Sequence, residues 1–143
     1  MENAGAGFGI DAKLLKDTHE IGKLALCRVL LVNDARFPWL ILVPQRAGIA
    51  EIIDLTPADQ QLLWREIAQA SLALKTVFQP DKLNVAALGN VVRQLHVHVI
   101  ARFASDAAWP KPVWGVGEAL PFQPHQLAIT ADRIAAALGI DED

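Results

Sequence analysis

The chain reads Gln94-Leu95-His96-Val97-His98-Val99-Ile100 in its second half. From the leucine to the second valine, apolar residues alternate with histidines at the two-residue period of a β-strand. The two imidazoles therefore share one face, and the leucine and valines can pack a core from the other face. Imidazole is the side chain most readily used as base, nucleophile or metal ligand near neutral pH. Because half of the 4 histidines lie here, the pattern predicts a strand that carries chemistry.

The segments before this strand predict a β-hairpin. An apolar run, Trp39–Val43, lies between Pro38 and Pro44 and is typical of a strand buried on both faces. It follows a loosely alternating run, Leu24–Val32, across an Asn33-Asp34 turn. Asparagine and aspartate favour tight turns, so we expect the two strands to pair antiparallel.

A long amphipathic helix is predicted between the hairpin and the histidine strand. Thr56 can cap it, Pro57 suits its first position, and apolar residues recur every three or four positions to about Phe78. The other predicted elements are a helix, a strand and a final helix: Asp11–Glu20 with Leu14 and Leu15 facing inward, Leu83–Leu88, and His125–Leu138. The expected fold class is α+β, an antiparallel sheet of four or five strands with one long helix packed across it and a C-terminal helix.

Length and composition predict one domain and exclude some classes of partner. A chain of 143 residues, 52% of them apolar, can bury a single core. The net charge of −3 argues against a general nucleic-acid binder. No apolar run reaches the roughly 18 residues that a membrane span requires. The N-terminal segment lacks an apolar signal core, so we expect a cytoplasmic protein with no membrane partner.

Three explanations of the histidine pair remain open from the residues alone. Both rings can be satisfied polar groups on a half-exposed strand. They can be two ligands of a zinc ion, which needs a third ligand from His19, His125 or a distant carboxylate. They can also serve covalent catalysis, in which one neutral imidazole attacks phosphorus while the other hydrogen-bonds the oxyanion.

The segment Gly89–Ile100, followed by Trp109-Pro110, resembles the histidine triad (HIT) nucleotide hydrolases and transferases. The motif of that family is His-φ-His-φ-His-φ-φ, where φ is apolar, preceded by Gly-Gln-Ser/Thr. The resemblance covers about Leu24–Gly115 of a single domain, 1–143, and leaves 116–143 as a C-terminal loop and helix. It implies a HIT-like fold and a two-fold homodimer.

The resemblance also implies roles for individual residues. His96 falls on the family's nucleophile toward the α-phosphate, His98 on a histidine that contacts phosphate, and Gln94 on the first histidine of the triad. From the strand period alone, Arg102 shares the face of the two histidines and can hold phosphate. Trp109 and Trp114 can cover the substrate or form a subunit contact. The residues expected around the nucleotide are Gly89, Asn90, Asn33, Asp34, Arg102 and Trp109. For the Asn33-Asp34 pair, a contact with the ribose competes with a plain hairpin turn.

The motif departs from the family pattern at three positions. Gln94 replaces a histidine, Asn90 stands where a glutamine is usual, and Val91 stands where a hydroxyl residue is usual. An amide can keep a hydrogen bond but cannot shuttle a proton. The expected function is hydrolysis at the α-phosphate of a nucleoside polyphosphate, dinucleoside polyphosphate or phosphoramidate through a nucleotidyl-histidine, with no metal or other cofactor required. The alternative is a nucleotide-binding module of the same fold with little or no turnover.

Overall fold

The computed structural model describes residues 7–140, which form one sheet and three helices. The first six and last three residues of the expected domain lie outside this description. In chain order the elements are α1 (Ala12–Lys16), β1 (Thr18–Lys23), β2 (Cys27–Val32), β3 (Trp39–Pro44), a 3₁₀ turn (Ile52–Asp54), α2 (Pro57–Phe78), β4 (Lys82–Ala86), β5 (Val97–Arg102) and α3 (Pro124–Leu138). Between residues 7 and 140, no helix combines the length and apolar character needed to cross a bilayer.

The five strands form one antiparallel sheet in the order β1-β2-β3-β5-β4. This confirms the predicted α+β class, the sheet of four or five strands, and the hairpin of β2 and β3. Strand β5 lies between β3 and β4, where His98 pairs with Ile41 on one side and with Ala86 on the other. His98 is therefore held by an inner strand, whose neighbours on both sides restrict its movement, and His96 directly precedes that strand.

The two faces of the sheet carry different residues. On one face Val97 and Val99 of β5 join the main core with apolar residues of α2 and with Ile134 and Leu138 of α3. The opposite face carries the histidines, and loop residues such as Phe37 pack there against Ile100. Burial of apolar surface contributes about 25 cal/mol per Å², so the helical face supplies most of the stability and leaves the other face for a site.

Helix α2 begins and ends as its sequence predicts. The Thr56 side chain accepts the Asp59 N–H, Pro57 occupies the first turn, and Gln79 ends the helix in the left-handed conformation. Inside the helix, the buried carboxylate of Glu66 accepts the backbone N–H groups of Leu26 and Cys27, each at 2.8 Å. This carboxylate fixes the helix to the turn between β1 and β2.

The N-terminal region differs from the prediction of a helix over Asp11–Glu20. Helix α1 ends at Lys16, and Thr18–Lys23 forms β1 against β2. Thr18 donates from its hydroxyl to the Leu14 carbonyl at 2.7 Å and closes the helix. Leu15, which was expected to face inward, is exposed. Strand β1 is at the sheet edge with mainly polar side chains, so its sequence carries little of the apolar alternation that indicates a strand.

The strand predicted over Leu24–Val32 is also shorter in the structure. It begins at Cys27, because the Leu24 N–H donates to the Cys27 carbonyl at 2.8 Å and closes a tight turn. The apolar residues of that turn pack on the core beneath it. These turn residues are apolar because they pack on the core, and in the sequence they look the same as buried residues of a strand.

Candidate active site

His96 lies one residue before β5, on the face opposite α2, and lines a cavity of about 300 Å³ together with Gly89 and Leu88. Its Nδ1 is 2.6 Å from the carbonyl oxygen of Gln94. A carbonyl only accepts, so Nδ1 of the neutral ring carries the proton and Nε2 keeps its lone pair. The ring is therefore set in the tautomer whose Nε2 can attack an electrophile.

His98 carries its proton on the other ring nitrogen. The Trp39 indole N–H donates to His98 Nδ1 at 3.0 Å, and an indole can only donate. Nε2 of the neutral ring therefore holds the proton and can donate a hydrogen bond. Burial and then the neighbouring His96 lower the pKa of His98 to about 4, which keeps the ring neutral at pH 7. The two imidazole centroids are 5.0 Å apart, so a lone pair and a neutral N–H donor lie side by side.

Trp114 completes the surroundings of His98. Its ring centroid is 5.0 Å from the His98 ring and 5.7 Å from the Trp39 ring, with edge-to-face geometry in both pairs. Trp109, the tryptophan expected at the nucleotide, instead lies over the guanidinium of Arg102 at 5.6 Å. The sequence signal for Trp114 is weak, since it is only a second tryptophan within a proline-rich loop.

The loop that carries Trp114 is fastened to the turn after β2. Asn33 Oδ1 accepts the Phe122 N–H at 2.9 Å, and Asp34 Oδ1 accepts the Leu120 N–H at 3.2 Å. Both Asp34 oxygens also accept from the Arg36 guanidinium, at 3.0 and 2.9 Å. Burial raises the pKa of Asp34, but these hydrogen bonds outweigh it and the net shift is downward. The oxygens expected at the ribose are thus engaged in holding the loop.

A groove lies on the same side of His98 as the tryptophans. It consists of two cavities of about 450 and 400 Å³ that share Lys16, Asp17, Val32 and Trp39. The larger one also includes Asn33, Asp34 and Trp114 in its lining, and the smaller one includes Val91. His98 contacts Trp39 and Trp114 on this side and His96 on the other, so it stands between the groove and the His96 cavity.

Arg102 does not occupy the phosphate position expected for it. Its Nε and Nη2 donate to the Asp106 carboxylate at 2.8 and 3.0 Å, and its Nη1 donates to Asn84 at 2.9 Å. The residue is only 1% exposed. Hydrogen bonds from Arg102 lower the pKa of Asp106 well below its ordinary value. The pair holds the loop after β5, because Asp106 also accepts the N–H groups of Phe103 and Trp109.

The Gln94 side chain is directed to the N-terminal segment. Its Nε2 donates to the Gly9 carbonyl and its Oε1 accepts the Asp11 N–H, both at 2.8 Å. Both ends of the amide are thus engaged by the backbone of residues 9–11, and the expected place of Gln94 beside a phosphate stays a prediction.

The loop before the histidines offers backbone donors instead. Gly89 has a left-handed φ of +73°, and Asn90 and Val91 are exposed. Among residues 7–140, no backbone carbonyl accepts a hydrogen bond from the N–H groups of residues 89–93. Successive free N–H groups can bind an anion without side-chain help, which suits a loop whose Val91 has no hydroxyl.

A zinc site at the histidine pair would need a third ligand, and the part of the chain that the structure describes brings none to it. No group of three or more His, Cys, Asp or Glu side chains comes together there in a way that could hold a metal ion. His19 lies on the edge strand β1 and His125 in the first turn of α3, and both are exposed.

Comparisons with known proteins identify the family and the fold of the chain. The HIT domain family matches residues 14–105. A histidine triad protein from Sinorhizobium meliloti 1021 is 48% identical, with a TM-score of 0.90 over 93% of this chain and 98% of that one. A histidine triad protein from Bradyrhizobium japonicum is 45% identical, with a TM-score of 0.90 over 92% of this chain and 98% of that one. One from Marinobacter aquaeolei VT8 is 44% identical, with a TM-score of 0.89 over 92% of this chain and 96% of that one. These similarities confirm the HIT-like fold. No match is found among the curated proteins.

Proposed function

The chain belongs to the HIT domain family, and from this premise we propose that it is a nucleotide hydrolase. The proposed substrate is a nucleoside polyphosphate, dinucleoside polyphosphate or nucleoside phosphoramidate, and the proposed reaction is cleavage at its α-phosphate. Gln94 takes the place of the first triad histidine. The observation that carries the proposal is the different partners of the two Nδ1 atoms, a carbonyl oxygen for His96 and an indole N–H for His98. These partners favour opposite tautomers, with a nucleophilic lone pair on one ring and a neutral N–H donor on the neighbouring ring.

The proposed reaction proceeds in two displacements. Nε2 of His96 forms a bond to the α-phosphorus while the bond from phosphorus to the leaving group breaks. A leaving phosphate oxygen departs with the electron pair as an anion, and a leaving nitrogen takes the electron pair together with a proton from solvent and departs as the amine. His98 donates its Nε2 proton in a hydrogen bond to a phosphate oxygen and stabilises the charge in the transition state. Water then attacks the nucleotidyl-histidine, releases a nucleoside monophosphate and restores the imidazole. These residues supply both the nucleophile and the donors, so we propose that no metal is needed.

The groove and the motif loop support a nucleotide as the substrate. The groove has an apolar floor and rim of Val32, Trp39 and Trp114, which suits a base, and Lys16 at its edge suits an anion. The N–H groups of residues 89–93, which donate to no backbone carbonyl within residues 7–140, are proposed to bind the phosphate beside His96. Asn33 lies at the groove, but its oxygen is engaged by Phe122, so the sugar has fewer partners there than expected.

The second candidate is a nucleotide-binding module with little turnover, and the motif departures favour it. The Gln94 amide is committed to Gly9 and Asp11, and Val91 offers no hydroxyl. Neither residue can move a proton to a leaving group. A poor leaving group such as an amine would then react slowly, and bound nucleotide would persist.

Product analysis separates the two candidates. The protein is incubated with diadenosine tetraphosphate, ATP or adenosine 5′-phosphoramidate, and the products are separated by chromatography. We expect AMP from at least one substrate, and no product with His96→Ala. Binding of nucleotide without AMP formation by the wild-type protein would support the module, and product formed by the His96→Ala variant would remove His96 from its role.

We also propose that the enzyme is a single-domain homodimer in the cytoplasm. Exposed apolar side chains lie on the outer side of α2, where Trp64 is 59% and Leu72 is 66% exposed, and Val85 is exposed on the edge strand β4. Monomeric proteins rarely leave large apolar groups together in water, so this surface suits a second copy of the chain. The single thiol, Cys27, is buried and unpaired, as is usual in a reducing compartment.

A further inference from the structure

The side-chain amide of Gln94 forms the two hydrogen bonds that the backbone of a paired β-strand would otherwise form with residues 9–11. It donates to the carbonyl of Gly9 and accepts from the N–H of Asp11, both at 2.8 Å. A carbonyl must meet the NH₂ end and an N–H must meet the oxygen end, so the two partners fix the orientation of the amide. The side chain therefore ties residues 9–11 to the segment just before β5.

The same residue also holds the proposed nucleophile. Its carbonyl oxygen accepts from His96 Nδ1 at 2.6 Å. The N–H of Leu95, on the other end of that peptide group, donates to the Ile49 carbonyl at 2.9 Å. Because a peptide group is planar, Ile49 sets the direction in which the Gln94 carbonyl points. The side-chain amide then sets the position of the residue from the opposite side.

We infer that Gln94 is a positioning residue: its amide anchors it to residues 9–11, so that its carbonyl keeps the proton of His96 on Nδ1. The N-terminal segment thereby becomes part of the support of the site, although it is 83 and 85 residues away in sequence. The catalytic consequence rests on the proposed function. The effect on the tautomer does not, because it is a property of the protein without substrate.

The first test replaces Gln94 with leucine, which has a similar volume and no hydrogen-bonding groups. We expect ¹⁵N NMR of the histidine rings in the substrate-free protein to show one His96 tautomer in the wild type, with Nδ1 protonated. In Gln94→Leu we expect exchange between both tautomers. We expect kcat to fall by about tenfold and KM to change by less than about twofold, since the hydrogen bond that orients the His96 ring is weakened and the groove is untouched.

A matched control makes the same change elsewhere. Gln69 of α2 donates from its Nε2 to the Leu138 carbonyl at 3.0 Å, so Gln69→Leu removes a comparable hydrogen bond away from the histidines. We expect Gln69→Leu to leave the His96 spectrum and kcat unchanged. A shift of the His96 tautomer in both variants would indicate general loosening and would overturn the inference.

A second pair of variants leaves Gln94 itself intact. Asp11 has φ −52° and its side chain caps α1, so proline fits the backbone there while removing the N–H that Gln94 accepts. Asp11→Pro loses this N–H and the cap, whereas Asp11→Ala loses only the cap. We expect the proline variant alone to populate the second His96 tautomer.

The outcomes separate the inference from the proposed function. An unchanged single tautomer in both Gln94→Leu and Asp11→Pro would overturn the inference, whatever the activity. A wild-type protein without hydrolase activity, but with the expected tautomer shifts, would contradict the proposed function and leave the positioning role standing.

Discussion

His96 and His98 are two residues apart and have opposite protonation patterns because their Nδ1 atoms meet different partners. A carbonyl accepts from one and an indole N–H donates to the other. The strand alternation predicts that the two rings share a face, because a two-residue period is a local property. It does not predict Trp39 as the partner of His98, because that contact joins residues 59 positions apart.

The neutral state of His98 predicts a pH dependence of stability. The pKa of His98 is lowered from 6.5 to about 4 in the folded chain. Between these values the unfolded chain binds a proton that the folded chain does not, so stability is lost as pH falls from 6.5 to 4. The loss due to this residue is about 3 kcal/mol over the whole range and about 2 kcal/mol between pH 7 and pH 4.5. Urea unfolding at pH 7 and pH 4.5 measures it.

The control for this prediction is His98→Gln, which keeps an oxygen acceptor for Trp39 and cannot titrate. Its free energy of unfolding should fall less between pH 7 and pH 4.5 than that of the wild type. Equal losses in the two proteins would show that His98 titrates normally.

Arg102 shows that a residue can lie on the predicted face of a strand and have its donors engaged by the protein itself. The period of two places it on the histidine face, but Asp106 and Asn84 take its donors. We predict that Arg102→Met lowers the free energy of unfolding by about 3–5 kcal/mol, because Asp106 is left as an unpaired buried charge. The exposed pair of Arg28 and Glu20 is the comparison, and Arg28→Met should cost less than about 1 kcal/mol. Similar losses in urea unfolding would contradict this difference.

At the scale of elements, prediction succeeded where local signals were strong. Helix α2 has a capping threonine, a proline in its first turn and a regular apolar period, and its start and end follow from these. Strand β1 was missed because its residues are polar and it forms only by pairing with β2. The short length of α1 depends on Thr18, whose hydroxyl bonds back to Leu14, a contact that sequence does not distinguish from a continuing helix.

The link between α2 and the β1–β2 turn predicts a large effect for one buried residue. Glu66→Leu leaves the N–H groups of Leu26 and Cys27 without an acceptor, because both donate to this carboxylate. We predict a loss of about 2–4 kcal/mol in chemical unfolding, from two unsatisfied buried donors. Glu66→Gln keeps one oxygen and should lose less. A glutamine variant less stable than the leucine variant would argue against this explanation.

At the scale of the whole molecule, the two faces of the sheet have different roles. The face toward α2 and α3 is apolar and packs the core, and the other face holds the histidines under loops that come from both ends of the chain. The apolar pattern predicts the first face. The second face depends on long-range contacts, such as the hydrogen bond from the Arg36 guanidinium to the Val116 carbonyl at 2.6 Å. Contacts of this kind produce no periodic pattern in the sequence.

The proposed dimer gives a prediction for the surface of α2. Trp64→Lys places a charge where we expect the second copy, so sedimentation equilibrium should give the mass of a monomer, against a dimer for the wild type. The control is Ile129→Lys, which changes an apolar residue of α3 that is 40% exposed, and this variant should remain dimeric. A monomeric wild type would remove the dimer from the proposal, and a dimeric Trp64→Lys variant would contradict the placement of its interface on α2.

The most direct test of the central proposal is mass spectrometry of a reaction stopped in its first turnover. The wild-type protein is mixed with diadenosine tetraphosphate or adenosine 5′-phosphoramidate, quenched, digested and analysed at the peptide that contains His96. We predict an added adenylyl group on that peptide, which disappears in a chase with water and is absent from His96→Ala. Turnover without any such adduct, or an adduct on another residue, would contradict the role of His96 as nucleophile.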